Sequence, residues 1–98
     1  MRKFGAPIYR FCPEMWSRDR RLVVFVGQDS ANPRDRWSFC ITRPTWEMLC
    51  PGLEPEEAFI RYRDAIHRAA IAHMLRGRPN RRAHLLSAED ISGMSSGN

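Results

Sequence analysis

Apolar positions along the chain fall into two periods, and each predicts its own kind of element. Leu22-Val23-Val24-Phe25-Val26 and Trp37-Ser38-Phe39-Cys40-Ile41 are short runs rich in β-branched and aromatic side chains, and both read as strands. A period of two puts Leu22, Val24 and Val26 on one face and Val23 and Phe25 on the other, and it sets Trp37, Phe39 and Ile41 opposite Ser38 and Cys40. Between them, Gly27 to Arg36 contains Gly, Asp, Ser, Asn and Pro33, which predicts a ten-residue loop closing an antiparallel hairpin. Both faces of the first strand are apolar. One is expected to meet a helix, the other the N-terminal segment or a second subunit.

The second period is helical. Phe59, Tyr62, Ile66, Ala69, Ala70, His73 and Met74 form a core-facing stripe, widened by Ile60, His67 and Ile71, with Arg61, Asp64, Arg68 and Ala72 opposite. The helix is expected over 55–75, with Glu54, Glu56 and Glu57 at its start, Arg76 and Arg78 at its end, and Gly77 as its stop. A short helix over 43–50 follows from Thr42 as cap and Pro44 in the first turn, and Pro51-Gly52 ends it. Ile8 to Cys12 predicts a short strand ended by Pro13, Ser17 to Arg21 a turn, and Ala83 to Leu86 a short edge strand. Ser87-Ala88-Glu89-Asp90 resembles a capping box, with too little chain beyond it for more than one helical turn. The expected fold is therefore α+β, a small antiparallel sheet packed against one long and one short α-helix. It is expected as a single domain over 4–91, followed by a mobile tail over 92–98.

Composition narrows the class without changing this picture. A chain of 98 residues supports one core, and a hydrophobic share of 43% with five Phe and three Trp is richer than a disordered chain carries. The longest apolar run, Leu22 to Val26, falls far short of a membrane span. Gly5, Pro7, Tyr9 and Arg10 interrupt the segment that a secretory signal would keep apolar. A cytoplasmic protein with no membrane partner is expected. Cys12, Cys40 and Cys50 are odd in number and lack a C-x-x-C pair, so reduced thiols are expected.

Phe11-Cys12-Pro13 followed by Trp16, then Val23-Val24-Phe25, Cys40-Ile41-Thr42, the Phe59 helix and Leu85-Leu86-Ser87-Ala88-Glu89-Asp90 occur in an order that resembles the bacterial family called domain of unknown function 1488. The resemblance covers roughly residues 8 to 91 and implies a compact α+β fold. It brings no reaction, cofactor or catalytic residue.

Candidate chemistry is sparse. His67 and His73 lie six residues apart, on different sides of a helix, and do not form the adjacent pair of an H-E-x-x-H site. His84 is more distant still in sequence, and no metal site is expected. The three cysteines read as packing residues, since none sits at a helix start. Glu54, Glu56 and Glu57 are explained by the helix dipole, and no glycine-rich phosphate loop is present, so neither a catalytic residue nor a bound cofactor is expected. Trp16, Trp37 and Trp46 read as packing rather than base-stacking residues.

Charge distribution is the exception. The formal charge is +5, and of sixteen basic residues only Lys3 is a lysine. From Arg61 to Arg82 seven arginines accompany one acid, Asp64, a net charge of +6. Arg68, Arg76, Arg78, Arg81 and Arg82 are the candidate surface for an anionic partner. The expected function is a non-enzymatic binding or regulatory module whose partner is unresolved, with a protein partner, a homodimer and nucleic acid all left open. The alternatives are a weak, sequence-independent nucleic-acid binder using the basic 61–82 region, and a small enzyme whose site is assembled from dispersed residues.

Overall fold

The computed structural model describes residues 8–95. Residues 4–7 of the expected domain and 96–98 of the expected tail lie outside the described residues. In chain order the elements are β1 (Tyr9–Phe11), β2 (Met15–Trp16), β3 (Leu22–Asp29), β4 (Arg36–Thr42), α1 (Arg43–Leu49), α2 (Pro55–Arg76), β5 (His84–Leu85) and α3 (Ala88–Ser95).

The fold is α+β, but among the described residues the sheet is mixed and three helices accompany it, which corrects the expectation of an antiparallel sheet with one long and one short helix. β3 and β4 form the expected antiparallel hairpin, yet β5 pairs with β4 in parallel through Phe39↔His84 and Cys40↔Leu85. The reason is the connection. After β4 the chain passes through α1 and α2, a crossover of the kind that lets two neighbouring strands run in the same direction. The third helix is α3, eight residues long, where one turn was expected. It carries on through Ser92 to Ser95, residues expected in the tail. The hairpin strands also run further than their apolar cores, leaving only residues 30–35 as the loop.

β1 and β2 both pair with β3 and behave as one edge strand with a bulge. Phe11 opposes Gly27 and the Cys12 N–H donates to the Val26 carbonyl at 2.9 Å, while Met15 already opposes Val24. Pro13 and Glu14 thus share the length that Phe25 takes alone on β3. This extra residue switches the alternation, so Trp16 packs against the core and Met15 stays 73% exposed. Pro13 interrupts the edge where a strand N–H would otherwise be open to another chain.

The inner face of the sheet carries Val23, Phe25, Trp37, Phe39 and Ile41, all buried against Phe59, Ile66, Ala69, Ala70 and Met74 of α2. Gly27 lies between Phe11 and Trp37 in the sheet, and a Cβ there would stand 2.9 Å from both Met74 and Phe11. Its missing side chain is what lets Met74 reach the strand. Phe59 is the hub of the aromatic cluster, with its ring centroid 6.0 Å from Trp16 and 6.1 Å from both Phe25 and Trp46. On the outer face, Met15, Val24, Cys40 and Leu85 form one apolar row across four strands.

Helix boundaries follow the expected signals with one difference. Thr42 precedes α1 in an extended conformation but makes no side-chain capping bond, so Pro44 rather than the hydroxyl favours the start. At α3 the capping box is complete. The Asp90 N–H donates to Ser87 Oγ and the Ser87 N–H donates to Asp90 Oδ2, each at 3.1 Å.

Candidate anion-binding surface

Asn80 fixes the segment between α2 and β5. It has a left-handed backbone, φ 61°, one that asparagine tolerates better than most residues. Its N–H donates to the Arg36 carbonyl at 2.6 Å, and its side-chain Oδ1 accepts from the Arg36 N–H at 3.3 Å. Nearby, Trp37 Nε1 donates to the Gly77 carbonyl at 3.3 Å and ties the end of α2 to the start of β4. These contacts bring the segment bearing Arg78, Arg81 and Arg82 beside Arg36, two residues after Arg34 of the β3–β4 loop, whereas Arg76 lines the groove between α2 and α3 together with Glu89 and Asp90. All six arginines are exposed, and none has an ion pair or side-chain hydrogen bond among the described residues.

Arg34 and Arg36 were not among the candidates from sequence. Their proximity arises from a contact between residues 36 and 80, for which a single sequence carries no signal. Arg68 is placed elsewhere. Eight residues before Arg76, it lies about 12 Å down the helix axis and donates through Nη1 to the Met94 carbonyl at 3.4 Å, on the α3 side.

The arginines of the other end are mostly engaged. A cavity of about 390 Å³ between α1, the β2–β3 turn and the start of α2 includes Arg20, Arg43, Trp46, Glu47 and Leu53 in its lining. Its cations already have partners, since Arg43 pairs with Glu47 at 3.1 Å and Arg20 with Glu56 at 3.4 Å. Arg63 is held by Glu14 at 3.0 Å and lies over the Phe59 ring. Exposed carboxylates thus balance this end, while the Asn80 end has a surplus of cations.

The histidines are less dispersed than their sequence positions suggest. His73 and His84 approach with ring centroids 5.5 Å apart beside Phe39, and His73 Nε2 lies 3.6 Å from Asp90 Oδ2. His67 instead stacks on Phe11 at 4.1 Å, and burial, reinforced by Arg63, holds its pKa below the ordinary value despite the opposing charges of Asp64 and Glu14. Among the described residues no group of three or more His, Cys, Asp or Glu side chains could hold a metal ion. Cys12, Cys40 and Cys50 are free thiols. No described helix is long and apolar enough to cross a membrane.

Asp90 connects this region to stability. Partial burial acts to raise its pKa and is the largest single influence, but the hydrogen bonds with Ser87 and the proximity of His73 together outweigh it and lower the pKa. A lowered carboxylate pKa stabilises the fold above the unfolded value, and the contribution is lost as pH falls through the folded value. Asp90→Ala is expected to cost about 1 kcal/mol at pH 7, a cap-sized loss limited by solvent screening. Urea melts at pH 7 and below pH 3 check this: the gap between wild type and variant should narrow in acid, and a gap unchanged with pH would remove the ionic part of the explanation.

Comparison with protein-family models, curated proteins and solved structures gives no match for the chain.

Proposed function

We propose that this chain is a small, non-enzymatic binding module that engages the phosphate backbone of nucleic acid weakly and without reading bases. One observation carries the reading: five exposed arginines, Arg34, Arg36, Arg78, Arg81 and Arg82, come from two chain segments joined by the Asn80–Arg36 contact and have no ion-pair partner among the described residues. Guanidinium groups suit phosphate through paired N–H donors, and contacts to phosphate position a protein without conveying base sequence. Trp37, the tryptophan at this end, is buried and hydrogen-bonded to Gly77, which disfavours base stacking there. Membership in the domain of unknown function 1488 family is proposed on the order of motifs alone and adds no activity.

Replacing Arg76, Arg78, Arg81 and Arg82 with Gln tests the reading. Affinity for several unrelated duplex DNA and single-stranded RNA sequences should fall together. On duplex DNA the slope of log affinity against log salt should flatten by roughly 0.9 for each arginine that meets a phosphate. The thermal midpoint should barely move, because exposed charges contribute little to stability. Fluorescence anisotropy at low and moderate salt reads both quantities. Absence of wild-type binding to either nucleic acid at low salt overturns the proposal and favours a protein-interaction module, the reading supported by the apolar row Met15, Val24, Cys40 and Leu85.

A further inference from the structure

We infer that Asn80 is a positioning residue that joins two arginine segments, 34–36 and 78–82, into one composite phosphate-binding surface; this rests on the nucleic-acid reading above. Arg36 is the first residue of β4 and opposes Gln28 of β3. Its N–H and carbonyl both bond to Asn80. β5 pairs with β4 at Phe39 and Cys40, so among the described residues the start of β4 has no strand partner on that side. Asn80 stands in for one, using its own N–H as donor and its side-chain oxygen as acceptor.

This double contact demands an unusual combination of properties. The residue must accept a left-handed backbone and carry an oxygen that reaches back to the neighbouring strand. Glycine meets the first requirement only, and alanine meets neither. Asparagine meets both.

The consequence concerns the ligand. Arg78, Arg81 and Arg82 lie within two residues of Asn80, which is held beside Arg36, and the anchored Gly77 immediately precedes Arg78. A segment already held in place does not have to be ordered when it binds, so more of its phosphate contacts appear as affinity. A surface with arginines on both a strand and a loop fits a chain of repeating phosphates better than an isolated phosphate. The ligand class is therefore an extended sugar–phosphate backbone that contacts both segments together.

The test uses the full chain, a mixed-sequence DNA duplex and a single-stranded RNA, with anisotropy titrations across a salt series. Asn80→Ala should weaken binding by roughly two- to tenfold, the range expected for ordering a few side chains on association. Its salt slope should also flatten although no arginine has been removed, a change that loss of stability alone would not produce. Asn80→Gly should be intermediate, and it serves as the decisive variant if Asn80→Ala does not fold. Arg34→Gln with Arg36→Gln should flatten the duplex slope by up to roughly 1.8, two contacts' worth. Wild-type affinity and slope in the folded Asn80 variants, or in the Arg34/Arg36 variant, would overturn the inference while leaving the effect of the 76–82 arginines intact. Failure of the wild type to bind either nucleic acid would overturn the functional reading and this inference together.

Discussion

Phe59→Ala and Ile66→Ala are each expected to lower the unfolding free energy by about 2 to 5 kcal/mol, with Phe59→Ala toward the upper end. Both side chains are essentially inaccessible, Phe59 at 1% and Ile66 at 0% exposure. The loss has two sources: apolar surface returns to water in the unfolded comparison, and a cavity remains where neighbours cannot close in. Phe59 is the more demanding case because three aromatic rings, Trp16, Phe25 and Trp46, meet it from β2, β3 and α1. No single shift of α2 fills the resulting space against all three. Urea denaturation of each variant provides the measurement. A loss below 0.5 kcal/mol for both would remove the helix–sheet interface as the main source of stability.

This interface was legible in the sequence because two periodicities agreed. The stripe Phe59, Ile66, Ala69, Ala70 and Met74 needs a partner surface, and Val23, Phe25, Phe39 and Ile41 provide one at strand spacing. Direction was not legible. His84-Leu85 is two residues long, and its apolar pattern is the same whether it runs parallel or antiparallel to β4. Pro13 correctly marks an interruption in the edge strand, but the resumption at Met15–Trp16 depends on a register visible only with β3 in place. The capping box marks the start of α3, but the little chain beyond it supports only one turn by itself, and Ser92 and Gly93 are poor helix formers. Burial of Ile91 offsets that weakness.

The candidate surface divides in the same way. Charge imbalance picked out Arg76, Arg78, Arg81 and Arg82, since charge is a property of composition. The participation of Arg34 and Arg36 depends on the tertiary contact through Asn80, a residue that in sequence reads only as part of a polar linker. Arg68 illustrates the reverse: it shares the basic segment of sequence but faces the end of α3. The proximity of His73 and His84 likewise depends on β5 returning beside β4.

Leu86→Ala and Ile91→Ala are also each expected to cost about 2 to 5 kcal/mol, although they lie in the last part of the described chain. Both have 0% exposure, and they hold a segment with little stability of its own. An eight-residue helix is too short to persist in water without tertiary contacts. The capping box satisfies two backbone donors but buries no apolar surface. α3 therefore depends on Ile91, while Leu86 anchors the preceding turn, with its N–H donating to the Cys40 carbonyl at 3.0 Å. Removing Ile91 should first release α3, and releasing α3 uncovers the side of α2 that it packs against. Amide exchange distinguishes this local opening from general weakening: in Ile91→Ala, protection should fall in α3 before it falls in β3 and β4. Uniform loss of protection would instead make α3 part of one cooperative unit with the sheet, and losses below 0.5 kcal/mol for both substitutions in chemical denaturation would remove Leu86 and α3 from the core altogether.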